Sequence, residues 1–95
     1  MSDYERSTVL PTREVFRIAD EIFPARAELA RSGDGGHHGA TYTGAEGTVV
    51  LEVHRHGPSA IVTVRTDRLR TSKLDIVARH FMNQLPYQLG DPPRE

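Results

Sequence analysis

The sequence predicts an α+β domain of two layers: a helix, an antiparallel β-meander of two to three strands and a second helix, with both helices on one face of the sheet. Three observations carry this. Residues 47–55 and 60–66 alternate apolar and polar side chains across a Gly57-Pro58 turn, the period of a half-buried strand pair. Residues 72–85 place Leu74, Val77, Ala78, Phe81 and Leu85 on one helical stripe behind a Ser-x-x-Asp start. Val15, Ile18, Ala19, Ile22 and Phe23 repeat at helical spacing after Pro11-Thr12.

Taken in order, residues 1–10 read as a flexible polar tail, 11–88 as a single α+β domain and 89–95 as a disordered tail rich in Gly, Pro and charge. Thr12 is the expected N-cap of the first helix, and Leu10 is placed to pack on Phe16. Pro24 lacks an N–H and crowds the carbonyl of Asp20, so the helix is expected to kink there, or to end near Ile22 and restart. Helix formers then run from Ala25 to Ala30, with a stop at Ser32-Gly33. Four glycines in residues 33–39 mark a loop. Residues 40–43 form a candidate short strand, and Gly44-Ala45-Glu46-Gly47 a turn.

A register follows from the hairpin. If His56 faces Ser59, then Val53 opposes Val62, Leu51 opposes Val64 and Val49 opposes Thr66 on the buried face. Val50 then opposes Arg65, Glu52 opposes Thr63 and His54 opposes Ile61 on the other. Pairing through the 44–47 turn brings Tyr42 beside Val49 and Ala40 beside Leu51. Pro86 ends the last helix.

Composition bounds the function. Ninety-five residues make one domain, with a thin core that oligomerisation would reinforce. A net charge of −1 argues against a general polyanion binder. The absence of cysteine excludes disulfides and thiolate metal sites. No apolar run is long enough to span a membrane, and the charged N-terminus is unlike a signal peptide, so a cytoplasmic protein is expected. Arg outnumbers Lys eleven to one, which reads first as the codon bias of a GC-rich genome.

Candidate sites lie on the face left over. Val50 and Ile61 are apolar residues on the outer side of the hairpin, and Ile76 lies opposite the apolar stripe of its helix; with His54 and Glu52 they form the candidate partner interface. Arg65, Arg68, Arg70 and Lys73 form the one local basic run, a candidate anion or nucleic-acid contact at a helix N-terminus. His54 and His56 alternate on one strand face, a half-site for zinc or copper, while His37-His38 stand in the glycine loop. Glu14, Asp20 and Glu21 among Arg13, Arg17 and Arg26 read as a solvated ion-pair face. No catalytic residue and no cofactor is implied.

The pattern from Gly47 to Leu85 (glycine, alternating valines, the turn at Gly57, valines again, then a helix) is similar to the YbaB/EbfC family. That resemblance implies a small nucleoid-associated homodimer that binds DNA; Pro24 and the near-neutral charge depart from it. Small dimeric secretion chaperones also mix terminal helices with an antiparallel sheet. Three readings therefore stand, in this order: a non-enzymatic protein-interaction module (adaptor, chaperone-like protein or accessory subunit), forming a homo-oligomer and meeting an unidentified protein partner; a nucleic-acid-associated dimer; and a small His-based metal protein or enzyme.

Overall fold

The computed structural model describes residues 2–34, 39–68 and 72–85. Its elements are β1 (Ser2–Thr8), α1 (Thr12–Ala27), β2 (Ala30–Asp34), β3 (Gly39–Gly44), β4 (Gly47–His56), β5 (Ser59–Thr66) and α2 (Lys73–Asn83). The strands form one antiparallel sheet in the order β1-β5-β4-β3-β2. The fold is α+β, but the expected two- to three-stranded meander is too small. A strand precedes α1 and another follows it, and these two are the edges of a five-stranded sheet.

The central register is as the alternation requires. Val53 pairs with Val62, Leu51 with Val64, Val49 with Thr66 and His54 with Ile61; Tyr42 pairs with Val49 and Ala40 with Leu51. Gly57 has φ +67° at the first central position of the β4–β5 turn, where a glycine fits a turn matched to strand twist. Gly47 has φ +134°, and a Cβ there would lie 2.5 Å from Asp67 Oδ1 and 2.9 Å from Leu74 Cδ2. The bare backbone lets the start of β4 pass under the β5–α2 connection, where Asp67 Oδ1 accepts the Thr48 N–H at 2.9 Å.

The expected polar tail supplies β1. All seven residues, Ser2 to Thr8, pair with β5, and Tyr4, Arg6 and Thr8 turn to the buried side. The first helix also differs. Pro11, extended at φ −58° and ψ 148°, is its N-cap; no side-chain hydrogen bond caps it, and Thr12 is the first helical residue. The Pro11 carbonyl accepts from the N–H groups of Glu14 and Val15 at 2.9 and 3.2 Å. α1 runs through Pro24 to Ala27. The missing proline N–H removes a single ladder bond near the helix end, and the buried stripe Val15, Ala19, Ile22, Phe23 and Ala27 holds the last turn. Glu28 then adopts a left-handed conformation, φ 55°, and the Leu29 N–H turns back to the Phe23 carbonyl at 3.3 Å. The expected continuation to Ser32 is thus replaced by a tight exit into β2.

The core is ordered around aromatic contacts. The Phe23 ring lies 5.0 Å from that of Tyr42 and 5.3 Å from that of Phe81, which joins α1 to β3 and to α2. Leu74, Val77, Ala78, Phe81, Met82 and Leu85 are buried, so the α2 stripe is the one the spacing predicts. Ser72 Oγ accepts the Asp75 N–H at 3.1 Å, the N-cap bond its sequence announces.

Candidate functional site

The side of the sheet away from the core follows from the parity of the register. Rows of neighbours run across it: Asp3, Arg65, Val50 and Thr41 in one; Glu5, Thr63, Glu52 and Gly39 in the next; Ser7, Ile61 and His54 in the third. Apart from Gly39, which is buried, these residues are exposed or half-buried, whereas their inward neighbours Val49, Leu51, Val53, Val62 and Val64 are fully buried. An antiparallel sheet can leave one face to solvent, and the β-branched Thr41, Thr63, Val50 and Ile61 suit a half-covered pleat.

Glu52 is the hub of this face. Its carboxylate lies 3.8 Å from Arg65 Nη1 and 3.8 Å from His54 Nε2, ion-pair distances longer than a hydrogen bond. Beside it Gly39 presents no side chain, and a concavity of about 280 Å³ opens, lined by Gly39, Thr41, Val50, Glu52, His54 and the adjoining Ala40 and Leu51.

The structure gathers Val50, Ile61, His54 and Glu52 on this face but separates the two apolar residues. Val50 pairs with Arg65 and Ile61 with His54, with the Glu52–Thr63 row between them. Ile76 is elsewhere: 53% exposed on α2, beside Arg79, His80 and Asn83. The proposed interface residues therefore belong to two surfaces. His54 and His56 share the outer face near the hairpin end, opposite Ile61 and Ser59. Among the described residues no three His, Asp or Glu side chains converge as a metal cage; His37 and His38 lie outside the described residues.

The basic run is dispersed. Arg65 sits on the sheet face between Asp3 and Val50. Arg68 donates to the Glu46 carbonyl at 2.9 Å and lies 3.7 Å from Asp67. Lys73 Nζ is 4.0 Å from Glu46, and Arg70 lies outside the described residues. The first turn of α2 also meets its own cap at Ser72. On α1, Arg17 bridges Glu14 and Glu21 at 2.9 and 2.8 Å; its pKa is raised, first by the hydrogen bond to Glu14. That is the solvated ion-pair face the spacing implies. Asp20 departs from it, accepting from the Tyr42 hydroxyl at 2.6 Å and pairing with Arg31 at 3.3 Å, while Arg31 covers the Phe16 ring at 5.4 Å.

Sequence reasoning missed one buried polar cluster. Asp75 is fully buried. Its carboxylate accepts from the Tyr4 hydroxyl and from Thr66 Oγ1 at 3.1 Å, and Arg79 Nε lies 3.6 Å away. It ties β1, β5 and α2 together beneath the sheet. The Ser72-x-x-Asp75 spacing pointed to a reciprocal helix cap, and the backbone half of that cap is present. The carboxylate, however, faces inward to Tyr4, in the stretch expected to be a polar tail.

No helix among the described residues is long and apolar enough to cross a membrane. The likeness to YbaB/EbfC covers residues 47–85 alone, and β1, α1, β2 and β3 lie outside that stretch. No protein-family model, no curated protein and no solved structure matches the chain.

Proposed function

We propose that this chain is a non-enzymatic protein-interaction module whose working surface is the open face of the sheet, and that its first partner is a second copy of itself. One observation carries the reading: across the three central strands Ala40, Tyr42, Val49, Leu51, Val53, Ala60, Val62 and Val64 are buried on the inward side, while Val50, Ile61, Thr41 and Thr63 stand half-covered on the other. With strands about 4.8 Å apart and a rise of about 3.3 Å per residue, the central part of this face measures roughly 400 Å². A standard interface buries about 800 Å² on each partner. The face alone thus supports a weak, exchanging contact, and a tighter one has to recruit its rim.

Sedimentation velocity across a wide concentration range tests this. Self-association should appear at high concentration, weaken in Thr63→Glu, and persist in Ile76→Glu, which alters the other surface. A protein that stays monomeric at millimolar concentration removes the second copy as partner; loss through Ile76→Glu alone moves the interface to α2. The nucleic-acid reading has less to work with, because Arg65, Arg68 and Lys73 each lie beside a carboxylate. Its measure is the salt dependence of duplex DNA binding, which is steep where phosphates are contacted.

A further inference from the structure

A short connection joins β1 to the rest of the chain. β1 ends at Thr8 and α1 begins at Thr12, so residues 9–11 lead from the sheet edge into the helix. Pro11 is extended, at φ −58° and ψ 148°. The Leu10 N–H donates to Thr8 Oγ1 at 3.2 Å. Arg55 donates through Nη1 to the Leu10 carbonyl at 2.8 Å and through Nη2 to the Pro58 carbonyl at 3.1 Å, which sets the connection beside the β4–β5 turn. Val9, in the middle of this stretch, is 58% exposed.

What holds β1 is local to its own groove. Its seven residues pair with β5 from Ser2–Thr66 to Thr8–Ala60. The Tyr4 hydroxyl donates to Asp75 on α2, and Arg6 and Thr8 are buried beside their partners Val62 and Ala60. None of these contacts requires β1 and β5 to belong to the same molecule. A groove shaped for this ladder, with a buried carboxylate awaiting a tyrosine hydroxyl, is matched by the β1 of a second copy. Exchange of an identical element is a low-cost route to a dimer, and a short connection favours it.

We propose that β1 exchanges between two copies of this chain, so that each strand lies on β5 of the other copy with its Tyr4 at that copy's Asp75. Residues 9–11 then run straight from one molecule to the other, and the two Val9 side chains cover each other where the connections cross. The inference stands apart from the open-face reading, because the exchanged strand uses the edge and inward side of β5. The closed monomer and the exchanged pair share the ladder and the Tyr4–Asp75 bond. They differ in the connection and in the contact at Val9, so concentration sets their ratio and the opening of β1 sets the rate.

Disulfide trapping tests this, since the chain has no cysteine of its own. Thr8 and Ala60 are opposite each other and both buried; antiparallel partners have Cα atoms about 4.5–5.5 Å apart, within disulfide range. A chain carrying Thr8→Cys is incubated with one carrying Ala60→Cys, then oxidised and analysed by mass. The expected product is a heterodimer linked between positions 8 and 60, in a yield that rises with concentration. The doubly substituted chain, closing within itself at low concentration, shows that the two positions can bond; absence of the heterodimer beside that control overturns the proposal. Tyr4→Phe loosens β1 equally in monomer and pair, so exchange should be about 10–30-fold faster at an unchanged final yield. Val9→Glu, or three glycines inserted after Val9, should lower the yield roughly 5-fold. An unchanged rate in Tyr4→Phe, or a yield untouched by both changes at Val9, would also overturn it. Two open faces cannot join positions 8 and 60, which lie on the inward side. Self-association that reverses at once on dilution and gives no such cross-link keeps the open face and removes the exchanged strand; cross-linked dimer in a protein whose association ignores Thr63→Glu does the reverse.

Discussion

Replacing Tyr4 by Phe removes one hydroxyl from a buried position and nothing else. Tyr4 pairs with Val64 on the inward side of β1 and is 4% exposed; its hydroxyl donates to Asp75, which is itself fully buried. Hydrogen bonds to charged groups contribute about 1.5–3 kcal/mol. Thr66 Oγ1 at 3.1 Å and Arg79 Nε at 3.6 Å remain beside the carboxylate, so the loss should fall in the lower part of that range, about 2 kcal/mol. For a domain of this size 1 kcal/mol shifts the melting temperature by about 4–8 °C, so a fall of roughly 8–16 °C is expected. Urea unfolding followed by circular dichroism gives the free energy directly.

A double-mutant cycle separates the bond from incidental packing. Tyr4→Phe and Asp75→Asn should be non-additive by about 1–2 kcal/mol, because both remove the same contact. Hydrogen exchange adds a spatial readout. β1 is an edge strand held by β5 and α2, so its amides should lose protection first in Tyr4→Phe, before those of β4. A Tyr4→Phe protein within about 0.5 kcal/mol of the parent, the scatter of ordinary surface changes, or strict additivity with Asp75→Asn, refutes the view that this cluster fastens β1 to the domain.

Two single substitutions and one deletion have further expected outcomes. Glu28→Gly should stabilise the fold by about 0.5–1 kcal/mol, because the left-handed conformation at φ 55° costs a side-chain-bearing residue about 1–2 kcal/mol and glycine's greater unfolded-state freedom returns part of that; thermal melting reads it, and a loss of stability would argue against a left-handed exit from α1. Gly47→Ala should cost about 2 kcal/mol or more, since it combines φ +134° with contacts of 2.5 Å to Asp67 and 2.9 Å to Leu74; an unchanged urea midpoint would contradict this close approach. Deleting residues 1–8 should expose β5 and remove Tyr4 from Asp75, giving a protein that aggregates or melts far below the parent; a truncated chain with the parent's stability would return these residues to the status of a tail.

The parts of the fold that were legible are those whose burial is one-sided and apolar. β4 and β5 alternate valines with polar residues, so their register and outer face, including Val50, Glu52, His54 and Ile61, could be written down from parity alone. β2 hid for a local reason. Ala25 to Ala30 are good helix formers, and the residue that ends α1 is Glu28 rather than the glycine that usually marks such an exit; the inward residue Arg31 then covers Phe16 with a guanidinium instead of a hydrocarbon chain. β1 hid for a more general one. Its inward positions are Tyr4, Arg6 and Thr8, of which one alone is chiefly hydrocarbon, so the period-2 hydrophobic signal never rises above the polar background. An edge strand has a neighbour on one side only, and its inward side chains sit at the rim of the core. There a long amphipathic residue can bury its stem, and a hydroxyl can reach a partner such as Asp75. Arg6, 3% exposed on a regular seven-residue edge, is also the kind of inward charge that discourages a further strand from pairing. The polarity that conceals β1 in the sequence is therefore the same property that lets it end the sheet.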